Sequence, residues 1–248
     1  MLTRSDIAEL HMPNTIMLGY RGSIAHGMYT PGTIDDIDVI GVYVGSPEMY
    51  IGLKTKPKAK QVMFDDGRID VVYYELTHFV NLLLKSNPNV LCTLWMPADC
   101  RIEVNRFGAS LINNASLFSS KKAFQAFIGY ANGQLSRMSK VQGNGYMGAK
   151  RKELFEKFGY DPKNAAHAVR LLLMGIEFLR TGRLRVRRAD ADMLLEIKNG
   201  GWVLDEILDF TNALFSDARL ALRGSPLPEE PAYKLAEKLT MSIIREYL

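Results

Sequence analysis

The hydrophobic period changes once along this chain, near Pro97, and that change decides most of what it can fold into. Before it, short β-branched and apolar runs separated by glycines and polar loops predict strands at Ile16 to Tyr20, Ile37 to Val44, Gln61 to Phe64 and Ile69 to Tyr74. Asp65-Asp66-Gly67-Arg68, between the last two runs, is a hairpin turn signal, and a helix is predicted from Thr77 to Lys85. Beyond Pro97 apolar residues recur at helical spacing through Lys121 to Val141, Pro162 to Thr181, Asp192 to Asn199, Val203 to Leu222 and Ala232 to Leu248. The expected class is α+β. A small mixed β-sheet head with flanking helices occupies residues 1–100, and an α-helical bundle follows over 101–248.

Several boundaries carry their own chemistry. Asp161-Pro162 fits an N-cap followed by proline at the first helical position, and Gly182 fits the residue just past the end of the same helix. Gly200-Gly201 closes the next helix, and the proline-rich stretch from Gly224 to Pro231 is a loop before the last one.

Composition excludes several classes. No stretch approaches the roughly 18 apolar residues of a membrane span, and the N-terminus has no basic segment leading into an apolar run, so a cytoplasmic protein is expected. Cys92 and Cys100 have no Cys or His partners at zinc-site spacing and are read as thiols without a metal or disulfide role. Charge is uneven: residues 101–190 carry 17 basic and 6 acidic groups, against 8 and 11 before them and 6 and 10 after them. A solvated helical face explains such an excess, and so does a surface that receives phosphates.

The chemistry-bearing stretch runs from Gly19 to Gly27 and on through Asp35 to Tyr43. A strand leads into Gly22-Ser23, and twelve residues later a second strand opens with Asp36-Ile37-Asp38. Side chains two apart in a strand share a face, so Asp36 and Asp38 are expected side by side. Two carboxylates held that close repel unless a cation sits between them, and hard oxygen ligands select magnesium or manganese. Asp70, in the run after the hairpin signal, completes the set if its strand pairs beside the Asp36 to Asp38 strand. Three such ligands can hold two ions about 4 Å apart, with Asp70 also placed as general base. Gly22 lets the backbone approach a phosphate, and the Ser23 hydroxyl can donate to its oxygens.

Gly22-Ser23, twelve residues, then Asp36-Ile37-Asp38-Val39 resembles the signature of the DNA polymerase beta-like nucleotidyltransferase superfamily. Within it, the chain is most similar to a predicted nucleotidyltransferase branch associated with RNA repair. The resemblance rests on Gly22-Ser23-Ile24-Ala25-His26-Gly27, Tyr74-Glu75-Leu76, Asn87-Pro88 and Gly159-Tyr160-Asp161-Pro162-Lys163, and spans residues 15 to 182. It implies transfer of a nucleoside monophosphate from a triphosphate such as ATP to a hydroxyl, with release of pyrophosphate. Two Mg2+ or Mn2+ ions on Asp36, Asp38 and Asp70 would assist. The implied acceptor is an RNA 3′ end, tRNA among them. Alternatives within the class are a small antibiotic-like molecule or a protein side chain; outside it, a catalytically inactive relative that binds nucleotide or RNA.

The basic groups complete the expectation. Lys163, His167 and Arg170 recur by four and three on one helix, a stripe suited to gripping a triphosphate, although Lys163 alone reads equally as a solvated position. Lys150 and Arg151 follow the glycine-rich run Gly143 to Gly148 and either meet a phosphate or acceptor RNA or start a helix with exposed charge. Alternation in Arg183-Leu184-Arg185-Val186-Arg187 puts three arginines on one face of an extended segment, which could follow an RNA backbone or form exposed salt bridges. Arg21 and His26 flank the glycine turn and are candidates for nucleotide contact. His26 serves equally as a turn-stabilising donor.

Overall fold

The structure, a computed structural model, describes residues 2–29, 36–53, 59–64, 67–139 and 149–248, with the backbone alone at 4, 5 and 149–152. The chain divides into two compact units, Met1–Ser119 with Glu230–Leu248, and Ser120–Glu229. The sequence places a boundary at residue 100; the units part after Ser119, and the last helix belongs with the first unit.

The first unit contains α1 (Arg4–Glu9), β1 (Thr15–Tyr20), α2 (Gly22–His26), β2 (Ile37–Tyr43), α3 (Pro47–Tyr50), β3 (Ala59–Phe64), β4 (Ile69–Glu75), α4 (Leu76–Leu84), α5 (Pro88–Leu91), β5 (Arg101–Val104) and α6 (Arg106–Asn113). The strands form one sheet in the order β3-β4-β2-β1-β5, with β2 and β4 parallel and every other pair antiparallel. This is the mixed sheet of an α+β fold, as expected.

Burial follows the apolar pattern. Thr15-Ile16-Met17-Leu18-Gly19-Tyr20 is buried throughout, because β1 has a strand on either side and both faces covered. β4 instead alternates: Ile69, Val71 and Tyr73 are buried while Asp70, Val72 and Tyr74 are half-buried on the other face. β3, at the sheet edge, is mostly exposed, and its pairing with β4 agrees with the hairpin signal, although Asp65 and Asp66 lie outside the described residues. β5 is a strand that the helical reading of residues 101–248 does not contain. Its four residues are too few for a period to register, and pairing with β1 makes them a strand.

Helix starts coincide with their chemical signals. Glu75 ends β4 and caps α4, and Asn87 caps α5 through Oδ1, which accepts from the N–H groups of Asn89 at 3.1 Å and Val90 at 3.3 Å.

The second unit holds α7 (Lys122–Met138), α8 (Ala149–Phe158), α9 (Pro162–Thr181), α10 (Ala191–Lys198) and α11 (Leu204–Arg223). α9 has the predicted limits: Asp161 accepts from Asn164 N–H at 3.1 Å, Pro162 opens the first turn, and Gly182 closes it at φ +70°. α7, α10 and α11 all pack on α9. A Cβ on Gly175 would stand 2.8 Å from Phe127 Cβ, so glycine is what allows α7 so near. Because α9 is surrounded, apolar residues are buried on several sides of it, Ala165, Ala168, Leu171, Met174 and Phe178 as well as Ala166, Val169, Leu172, Ile176 and Leu179.

The final helix, α12 (Tyr233–Arg245), returns to the first unit and turns Ala236, Thr240 and Ile243 inward near α4 and residues 115–118. Among the described residues no helix is long and apolar enough to cross a membrane.

Candidate active site

Three strand ends meet at one side of the sheet: the C-terminal end of β1 and the N-terminal ends of the parallel strands β2 and β4. Asp38 and Asp70 are each the second residue of their strand and are register partners, Asp38↔Asp70. Parallel neighbours lie about 4.8 Å apart, so the pairing puts two carboxylates side by side.

The chain leaves β1 at Arg21, whose N–H donates to the carbonyl of Asp38 at 2.9 Å. Gly22 then takes φ +62°, and a Cβ built on it would fall 2.2 Å from Asp38 Oδ2. Two separate requirements therefore demand glycine: a left-handed backbone and room for the carboxylate. The turn continues into the short α2, held by Ile24, Ala25 and His26, which are buried, while Ser23 is exposed.

Arg21 Nη2 reaches Asp38 Oδ1 at 3.3 Å and Asp70 Oδ2 at 3.1 Å, so a single guanidinium nitrogen serves both acids. From β3, Gln61 Nε2 donates to Asp70 Oδ1 at 2.9 Å and to Oδ2 at 3.0 Å. The side chains of Arg21, Asp38 and Asp70 are 32%, 36% and 20% exposed, so a dissolved ion can reach all three. The sequence suggests Arg21 for a phosphate; its guanidinium lies on the carboxylates instead. Asp36 is exposed and lies one residue before β2. Among the described residues no three Asp, Glu, His or Cys side chains are gathered closely enough to hold a metal ion, so Asp36 does not stand with the pair.

The pair fits a divalent cation on two counts. Its oxygens already converge on one positive group, and the neighbouring turn leaves Asp38 Oδ2 a space that any side chain at position 22 would fill.

The other acid of β4 has a different role. Glu75 is 1% exposed and accepts from Tyr50 Oη at 2.5 Å, Thr77 N–H at 2.9 Å, Thr77 Oγ1 and His78 N–H at 3.2 Å. Burial, then the hydrogen bond to this carboxylate, pushes the Tyr50 phenol far above its ordinary pKa, and burial beside Glu75 raises that of Tyr43. Glu75 is thus a saturated helix cap at the far end of the strand.

The remaining predicted residues lie in the second unit. Lys163 is exposed and His167 half-buried, whereas Arg170 is 7% exposed, its Nη1 3.4 Å from Met174 Sδ; the stripe runs from solvent into the core. The segment through residues 183–187 lies outside any strand or helix, with Leu184 and Val186 buried and Arg183, Arg185 and Arg187 exposed. Arg185 Nε lies 3.4 Å from Glu177. Lys150 and Arg151 fall in α8, their side chains outside the described residues, as is Gly143 to Gly148. Gln61 is the site residue that sequence reading did not identify. Its signal was the hairpin register, which sets Met63 opposite Asp70 and so places Gln61 diagonally across from that acid on the same face.

A family model described as "RNA repair pathway DNA polymerase beta family" matches residues 5–222. The chain belongs to that family. It is therefore of the polymerase beta type of nucleotidyltransferase, in an RNA-repair context. No curated protein matches the chain. Among solved structures, a nucleotidyltransferase-like protein from Exiguobacterium sibiricum is 13% identical, with 98% of this chain and 79% of that chain covered at a TM-score of 0.32.

Proposed function

We propose that the protein is a divalent-metal-dependent nucleotidyltransferase that moves a nucleoside monophosphate from a nucleoside triphosphate to the 3′ hydroxyl of an RNA, releasing pyrophosphate. The observation that carries this is the in-register pair Asp38 and Asp70, close enough to share one guanidinium nitrogen and open to solvent. Family membership supports the reaction class and the RNA context.

Asp38 and Asp70 would hold Mg2+ or Mn2+. Bound there, the ions would neutralise the triphosphate and lower the pKa of the attacking hydroxyl. The residues of the chain do the rest. Asp70, whose carboxylate Gln61 holds, would take the acceptor's proton as its oxygen attacks the α-phosphorus and the bond to the β-phosphate oxygen breaks. Gly22 and exposed Ser23 offer backbone and hydroxyl donors to the triphosphate, with His26 behind them on α2. Lys163 and His167 are the further candidates for phosphate contact, and Arg170, being buried, fits that role less well. Arg183, Arg185 and Arg187 form the row suited to an RNA backbone.

The test is incorporation of labelled triphosphates into total RNA with and without Mg2+, run beside Asp38→Ala and Asp70→Ala. Metal-dependent labelling of RNA that both substitutions abolish supports the reading. Label in protein or in a small acceptor would replace RNA as substrate, and triphosphate binding without any incorporation would mark an inactive relative.

A further inference from the structure

Asp38 and Asp70 already share a cation, and it is the chain's own. Arg21 Nη2 bonds Asp38 Oδ1 at 3.3 Å and Asp70 Oδ2 at 3.1 Å, both longer than the roughly 2.7–2.9 Å of a tight charge-assisted bond. Its Nε is buried and has no partner among the described residues, so Nε adds nothing to the hold that Nη2 has on the two acids. Its backbone, by contrast, is pinned by the 2.9 Å bond from its N–H to Asp38 O, so the side chain alone can swing. On the other side of Asp70 stands Gln61, a neutral donor at 2.9 and 3.0 Å that keeps the carboxylate oriented without bringing charge.

We propose that Arg21 is a positioning residue that holds Asp38 and Asp70 together in the metal-free protein and is displaced when a divalent ion binds, the guanidinium and the ion competing for the same oxygens. The proposal rests on reading this pair as a metal site. Two like charges at adjacent register positions would otherwise repel and turn apart, and Arg21 keeps them at coordinating separation until the ion arrives. Arg21 and Gln61 then have opposite effects on metal affinity although both touch Asp70: one competes with the ion, the other supports its ligand.

The experiment is Mn2+ titration of the full chain, with free ion measured by electron paramagnetic resonance, on the wild type and on Arg21→Met, Arg21→Lys and Gln61→Leu. Arg21→Met is expected to bind Mn2+ about fivefold more tightly, the equivalent of losing one partly exposed ion pair of about 1 kcal/mol. Arg21→Lys, which retains the charge but not the planar fork, should fall between it and the wild type and serves as the folded control. Gln61→Leu should bind about tenfold more weakly. An Arg21→Met protein with affinity equal to or below the wild type overturns the competition while leaving the metal reading standing. So does a Mn2+-loaded crystal structure with the guanidinium still on both carboxylates. Absence of Mn2+ binding in every protein, the wild type included, overturns the competition and the metal reading together.

Discussion

Each unit holds an arginine between two acids, and the two clusters differ in how completely the arginine is engaged. In the second unit Arg188 is 5% exposed by side chain and grips Asp190 with two nitrogens, Nε at 2.9 Å and Nη2 at 2.8 Å, and Glu177 with the third, Nη1 at 2.7 Å. Burial works against its charge, yet the hydrogen bonds to Asp190 and Glu177 prevail and hold its pKa above the ordinary arginine value. In the first unit Arg21 is 32% exposed and touches its two acids through one nitrogen, with longer bonds. The same groups thus make a buried clamp of three nitrogens in one place and a partly solvated contact through one nitrogen in the other. The number of ion pairs alone would not separate them; burial and the number of nitrogens engaged do.

The largest effect expected from this contrast is on stability. Arg188→Met leaves Glu177 and Asp190 without their buried cation and should cost about 3–5 kcal/mol in urea unfolding. A loss under about 1 kcal/mol would make the two clusters equivalent. Gly22→Ala should cost about 1–3 kcal/mol, since it forces φ +62° on a residue with a side chain and drives that side chain against Asp38 Oδ2. It should also weaken Mn2+ binding, which calorimetry would read. Arg21→Met in metal-free buffer should cost less than about 1 kcal/mol, because its pairs are partly solvated, and added Mn2+ should restore the difference. The smallest stability effect belongs to the combined change of Arg183, Arg185 and Arg187 to Gln, within about 0.5 kcal/mol. Filter binding to RNA across a salt series should nevertheless show weaker affinity and a shallower slope, by about 0.7 for each phosphate that is no longer neutralised. An unchanged slope removes this row from the RNA surface.

Much of the fold was legible because local chemistry dictated it. β1 to β4 announced themselves as β-branched and apolar runs, and α9 began and ended where Asp161-Pro162 and Gly182 set its caps. β5 was not legible, since four residues at a sheet edge become a strand only by pairing with β1. α6 begins one residue after that strand, capped by Asn105, and went unread with it. α2 read as a turn because five residues hold too few periods to register as a helix. In the site, the neighbouring positions of Asp38 and Asp70 follow from the strand order, which the sequence could anticipate as a possibility to be paired. Where Arg21 and Gln61 point was not anticipated, because side-chain direction depends on which strands flank β4 and in what register. The α9 stripe shows the same limit: spacing identifies one helix face, but only the packing of α7, α10 and α11 decides that Arg170 is buried.

If Asp38 and Asp70 act together as the ligands of one divalent centre, neither acid suffices without the other. Mn2+ stoichiometry and affinity in Asp38→Asn, Asp70→Asn and Asp190→Asn test it most directly. Either of the first two substitutions is expected to abolish tight Mn2+ binding, while Asp190→Asn leaves it at the wild-type value. Tight binding that survives both Asp38→Asn and Asp70→Asn would contradict it.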